Sequence, residues 1–290
     1  MSLDTPLRLA AEEVASTLPP LQAAAEHLAS TVMLGAHGRR RVGLGDEFWQ
    51  YRPLRPGDEL RTVDWRRSAK SEQRFVREKE WQNAQSVIMW VDSAASMRFA
   101  SDKNLETKSH RARLLGLATA VLLIRGGERV GLTAFQAPPR AGQAQLDRMA
   151  LLLGQESDDA DYGTPEARGM IPRSRALFVS DFMGDLAPVK AALGKAADRG
   201  VKGALLQVLD PQEEAFPFTG RTIFESIGGT LSHETQKAND LKDRYLQRLA
   251  ERKAELADLA RTAAWQFTTH RTSEPAQSAL MWVYQAMERI

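Results

Sequence analysis

The sequence predicts an α/β protein built on a doubly wound, mostly parallel sheet, and three observations carry that prediction. Strand-like and helix-like segments alternate from residue 85 to the end, the pattern of a parallel sheet with crossover helices. Three apolar runs, SVIMWVD, ALFVSD and GALLQVLD, read as strands buried on both faces, and each closes on an acid: Asp92, Asp181 and Asp210. Residues 108–125 form a helix apolar nearly all round, which marks it as central.

The elements follow in order. Residues 5–34 carry a one-sided helical stripe (Leu7, Val14, Leu18, Leu21, Ala25, Leu28, Val32) interrupted by Pro19-Pro20. Two short helices are expected there, because proline lacks a donor and clashes with the preceding turn. Residues 35–81 turn to Arg, Gly, Pro and aromatics, with a turn at Arg55-Pro56-Gly57-Asp58. Short strands and ordered loops are expected. A strand at 86–92 leads to the helix 108–125, ended by Gly126-Gly127, and a second strand at 129–135. Then come a helix at 143–153, a strand at 176–181, a helix at 186–198 and a strand at 203–210. Residues 221–227 suit an edge strand, 233–263 a long helix, WQFTTHR a last strand and 277–289 a last helix. The expected organisation is residues 1–84 as an elaboration packed on a sheet domain of residues 85–290.

Composition narrows the function. The 290 residues are 43% hydrophobic and 26% charged, enough to fill a core. Cysteine is absent, which excludes disulfides, thiolate metal sites and cysteine nucleophiles. With 39 basic against 37 acidic residues, the formal charge of +2 supplies no field that would pull the chain onto nucleic acid. The apolar stretch 114–124 lies between Arg113 and Arg125 and is too short to span a bilayer. The N-terminus lacks the apolar core of a signal peptide. A cytoplasmic protein is expected. The five histidines show no metal-ligand spacing, and there is no G-x-S-x-G elbow or phosphate loop. Nothing assembles an acid, a base and a nucleophile.

In open α/β sheets ligands sit at the carboxyl ends of the strands. Three strand-end aspartates there suggest a divalent-cation site, since hard cations take oxygen ligands. Helix capping is the competing reading for each. The segment Arg61 to Lys79, basic with Trp65 and Phe75 interleaved, suits either nucleic acid or an internal lattice of ion pairs, and the lattice is favoured. Glu156, Asp158, Asp159 and Asp161 form an acidic loop before Thr164, read as a solvated turn.

Two motifs carry a family resemblance. The stretch YRPLRPGDELRTVDWRRSAK with FVREKE resembles the signature of the bacterial DUF58 family, at Arg55, Pro56, Gly57, Asp58, Arg61, Asp64, Trp65, Arg77 and Glu78. The stretch VDSAASM resembles the aspartate-x-serine-x-serine motif of von Willebrand factor A domains, and SDFMGD the later serine-aspartate-phenylalanine motif of DUF58 proteins. The resemblance implies a vWA-like, Rossmann-like domain used for protein interaction, often encoded beside a MoxR-type AAA+ ATPase. It assigns Asp92, Ser96, Thr164 and Asp181 to a metal-ion-dependent adhesion site for Mg²⁺ or Mn²⁺. The first serine falls at Ala94, so one ligand is missing and a weak or vestigial site is expected. Asp58, Arg61, Asp64 and Trp65 are expected to lock their loop onto the sheet domain through partly buried ion pairs.

The expected function is a non-enzymatic interaction module partnering such an ATPase, without nucleic acid. The alternatives are a metal-dependent hydrolase using the strand-end aspartates and, behind it, a nucleic-acid-binding protein.

Overall fold

The computed structural model describes residues 19–33, 42–55, 58, 63–69, 73–80, 84–155, 160–225, 232–235 and 239–289. Contacts divide the chain into two units, one of residues 1–34 with 85–290 and the other Gly35–Ala84. The helical N-terminal segment therefore goes with the sheet rather than with residues 35–84. The reason is local: helix α1 (Pro19–Met33) buries Ala25, Ala29 and Val32 in the sheet domain's core. Pro19 and Pro20 are the first described residues of this helix, where a missing N–H costs no intrahelical bond. The helix expected before them lies outside the described residues.

In the smaller unit, β1 (Val42–Pro53) and β2 (Phe75–Glu80) pair antiparallel, with irregular register between Gly43 and Gln50. A single helical turn, α2 (Trp65–Ser68), lies between them.

The larger unit holds a five-stranded sheet. Its strands are β3 (Ser86–Val91), β4 (Arg129–Leu132), β5 (Arg175–Ser180), β6 (Lys202–Leu209) and β9 (Gln266–Arg271), in the order β4-β3-β5-β6-β9. Every neighbouring pair is parallel. Side chains alternate cleanly between two cores, as the period of two dictates. Val87, Met89, Leu177, Val179, Leu206 and Val208 face a core shared with α1, α3 (Lys108–Arg125), α4 (Gln143–Gly154) and α8 (Ala276–Arg289). Ile88, Ala176, Phe178 and Leu205 face the other, with α5 (Ala187–Asp198) and α7 (Asn239–Thr262). Helix α3 is the buried centre: it is packed by α1, α4 and α8, and it approaches β3 so closely that a Cβ on Gly116 would lie 2.8 Å from Val91 Cγ2.

Three expectations are corrected. The run at 221–227 is no edge strand of the main sheet. It forms β7 (Thr222–Glu225), paired antiparallel with β8 (Ser232–Thr235) in a sheet of their own. The long helix consequently starts at Asn239, not at residue 233. Strand β4 also ends early, since Thr133 begins a turn closed by Phe135 N–H on Leu132 O at 2.9 Å.

From β3 the chain steps outward to β4, then returns to the other side of β3 as β5. That reversal opens a crevice between the carboxyl ends of β3 and β5, where open α/β sheets hold their ligands. Asp92 and Asp181 stand at those two ends.

Candidate functional site

Buried carboxylates must be neutralised or hydrogen-bonded, and each one in the crevice is. Asp92, 2% exposed, accepts from Ala94 N–H at 2.9 Å on Oδ1 and from the Ser180 hydroxyl at 2.6 Å on Oδ2. The Ser180 oxygen in turn accepts from Phe182 N–H at 3.0 Å. Phe182 takes φ 51, a left-handed conformation uncommon for a bulky residue and typical of functional turns. Gly163 presses on Asp92 from the facing loop. A Cβ there would lie 2.1 Å from Oδ1, so glycine is needed for close approach.

Asp181, 1% exposed, has a different partner. Its Oδ1 accepts from Met183 N–H at 3.0 Å, and its Oδ2 accepts from Lys108 Nζ at 2.9 Å. Lys108, the first residue of α3, is 1% exposed and also donates to Glu213 Oε1 at 2.6 Å. Its ammonium lies 5.8 Å from the centre of the Phe99 ring. Burial opposes its charge, but Asp181 and Glu213 together outweigh that and hold the pKa above the ordinary lysine value. Asp210 is the helix cap of the competing reading. With Glu213 it forms a capping box on α6 (Pro211–Ala215), and its Oδ2 accepts from Ser101 N–H at 2.9 Å.

The other residues predicted for a metal site lie on the neighbouring loops, with Thr164 lining the same cavity as Asp92. Ala94 is fully buried and offers no oxygen. Ser96 has an enclosed Oγ that makes no hydrogen bond, and its N–H donates to Asp161 O at 2.9 Å. Thr164 is exposed on the loop after Gly163. A divalent ion needs about six oxygens, yet both oxygens of Asp92 are engaged by donors and Asp181 is engaged by an ammonium. Among the described residues no group of three or more His, Asp or Glu side chains is placed to hold a metal ion.

Beside Asp92 lies a cavity of about 390 Å³, between the ends of β3 and β4 and the loop 163–168. Trp90, Leu132 and Leu152 form its apolar wall, while Arg113, Thr133 and Arg168 bring polar groups. Arg168 pairs with Glu166 at 2.8 Å near the surface.

The family profile described as "Protein of unknown function DUF58" matches residues 50–255, well over half of the chain. The chain belongs to the DUF58 family. Relatives include the uncharacterized protein Rv1480 of Mycobacterium tuberculosis and Mb1516 of Mycobacterium bovis. Each is 24% identical over 266 residues, covering 86% of this chain and 81% of the relative. Among solved structures, an aerotolerance-related membrane protein from Bacteroides fragilis aligns with a TM-score of 0.43 and 14% identity. BatB from Bacteroides thetaiotaomicron aligns with 0.38 and 16%. Both alignments cover 71% of this chain and 100% of the other. Similarity this low fixes neither a shared fold nor a shared activity. Among the described residues no helix is long and apolar enough to cross a membrane.

The DUF58 match takes in the signature segment, whose described residues support one another within their own unit. Asp58 Oδ2 accepts from Arg55 N–H at 2.7 Å, closing the predicted turn. Asp64 caps α2 by accepting from Arg67 N–H at 3.0 Å and also accepts from the Tyr51 hydroxyl at 3.1 Å. The Arg67 guanidinium lies 4.4 Å from the Tyr51 ring centre and 5.4 Å from that of Phe75, a cation–π arrangement. Trp65 is 57% exposed. Pro56, Gly57 and Arg61, the side chains of Arg77 and Glu78, and the acids Glu156, Asp158 and Asp159 lie outside what is described.

Sequence reasoning missed Lys108, Glu213, Ser180 and Gly163. A D-x-x-E capping signature at Asp210 and Glu213 was there to be read. Nothing local marked Lys108, whose acidic partners lie 73 and 105 residues further along the chain.

One turn along α3 from Lys108, Arg111 ties the helix to the end of β9. It donates to Glu106 Oε2 at 2.9 Å, to Thr272 O at 3.0 Å and to Glu274 O at 2.6 Å, and meets His270 Nε2 at 2.8 Å. A guanidinium only donates, so Nε2 accepts and the imidazole proton sits on Nδ1. Burial, then the charge of Arg111, pull the His270 pKa from 6.5 down to about 4. The unfolded chain therefore takes up this proton at a higher pH than the folded one. The contribution to stability is complete above about pH 6.5 and is lost as the pH falls towards 4, by up to ~3 kcal/mol. Urea midpoints between pH 7.5 and 4.5 should fall less steeply for His270→Gln than for wild type; equal slopes would refute the assignment.

Proposed function

We propose that this DUF58 protein is a non-enzymatic interaction module on a vWA-like domain, and that its partner is a MoxR-type AAA+ ATPase. The observation that carries the reading is the state of the crevice. Its carboxylates are consumed by internal donors, so none is left to activate water or a nucleophile, while an open cavity with Arg113 and Arg168 adjoins them. A cavity with an apolar wall and a few convergent polar groups suits capture of a partner's side chain. Arg113, Glu166 and Arg168 all line it, with Arg168 already paired to Glu166, so a polar or charged side chain that joins this network is the expected guest. The ATPase rests on the resemblance of the signature segment, and no nucleic acid is expected.

The test is crosslinking and co-purification of the full chain with the ATPase, with and without nucleotide. Capture is expected and should fall at least tenfold, about 1.4 kcal/mol, in Arg113→Glu and Arg168→Glu together. Failure to recover any ATPase overturns the partner. Turnover of phosphate or peptide substrates with Mg²⁺ or Mn²⁺, abolished by Asp92→Ala, would establish the hydrolase reading instead.

A further inference from the structure

We infer that the Lys108 ammonium is the resident cation of this crevice and that the site works without a divalent ion. Four buried or nearly buried carboxylates crowd the carboxyl ends of β3, β5 and β6: Asp92, Asp181, Asp210 and Glu213. Asp92 and Asp210 are satisfied by backbone N–H groups and one hydroxyl. Asp181 and Glu213 converge on a single Nζ, at 2.9 and 2.6 Å. An ammonium has three donors and accepts nothing; two donors go to the two acids, and the Phe99 ring lies beyond.

The position of Lys108 supports this assignment. It is the first residue of α3, whose N-cap is Thr107, and a cation is disfavoured at a helix N-terminus. Full burial of a lysine there is stable only because the two carboxylates oppose both penalties. A divalent ion drawn to Asp181 would have to enter beside this ammonium or expel it. The lysine is covalently attached, so it is present at any metal concentration. This inference concerns the chain alone and stands or falls independently of the proposed ATPase partner.

Thermal unfolding of the full chain, first in EDTA and then with millimolar Mn²⁺ or Mg²⁺, tests it. The wild-type midpoint should not move. Lys108→Ala should unfold at a lower temperature and be raised again, saturably, by Mn²⁺, because the metal then meets two unopposed carboxylates. A wild-type midpoint raised by metal, or a folded Lys108→Ala unmoved by it, overturns the inference. If Lys108→Ala does not fold, paramagnetic broadening of wild-type resonances by Mn²⁺ decides: none near Asp92 and Asp181 supports it, and selective broadening there overturns it.

Discussion

Asp181→Ala is expected to destabilise the protein by about 3–5 kcal/mol, the usual cost of removing one partner from a buried ion pair. The loss has two sources. Lys108 is left buried against Glu213 alone, and Met183 N–H loses its acceptor at 3.0 Å. Asp185, four residues along, provides the control. It too accepts a backbone bond, from Ala187 N–H at 2.9 Å, but in an exposed setting. Asp185→Ala should therefore cost only about 1 kcal/mol, as for an exposed capping contact. Urea midpoints measured at pH 7.5, away from the His270 titration, read both. Equal losses would show that the Lys108 pair contributes nothing beyond an ordinary turn bond.

Gly163→Ala is expected to cost about 3 kcal/mol, the upper part of the range for forcing atoms into a packed interior. Gly163 has no unusual φ, so the penalty is purely steric. The new methyl would lie 2.1 Å from Asp92 Oδ1, 2.4 Å from Cγ and 2.7 Å from Oδ2. The carboxylate cannot swing aside without breaking its bonds to Ala94 N–H and Ser180 Oγ. Gly194, inside α5, has nothing within 4 Å of an added Cβ. Gly194→Ala should stabilise by roughly 0.5–1 kcal/mol through helix propensity and chain entropy. Opposite signs for the two glycines are the expected result, and a neutral Gly163→Ala would mean that its loop is free to move off Asp92. The same substitution bears on function, since Gly163 and Asp92 both line the cavity offered to the partner. Partner capture should weaken in Gly163→Ala and be unchanged in Gly194→Ala.

What the sequence by itself determined is whatever depends on local periodicity and on chain ends. All five strands of the main sheet were named within a few residues, and for β3, β5 and β6 the reason is that burial on both faces leaves an unbroken hydrophobic run. The helix 108–125 was legible to the residue, since its apolar circumference and the Gly126-Gly127 stop are both local. Asp92, Asp181 and Asp210 were legible as strand-end acids for the same reason. Elements held by weaker local signals were misread. The strand Ser232–Thr235 was taken for the start of α7, because four polar residues show no period of two and pair only with β7. The helical stripe after Pro20 was legible, but only packing of Ala25, Ala29 and Val32 showed that it belongs to the core of the sheet domain.

The tertiary structure alone decided what the strand-end acids do. Spacing could not say that Asp92 would be met by Ser180 across the switch of the sheet, or Asp181 by a lysine from the start of α3. Periodicity reports whether a residue is buried; it carries no record of which distant group shares its pocket. That choice is made by strand order and register. The reversal from β4 back to β5 brings the ends of β3 and β5 side by side, and the first residue of α3 delivers an ammonium to Glu213 and to Asp181, the acid that the motif alone would have assigned to a metal.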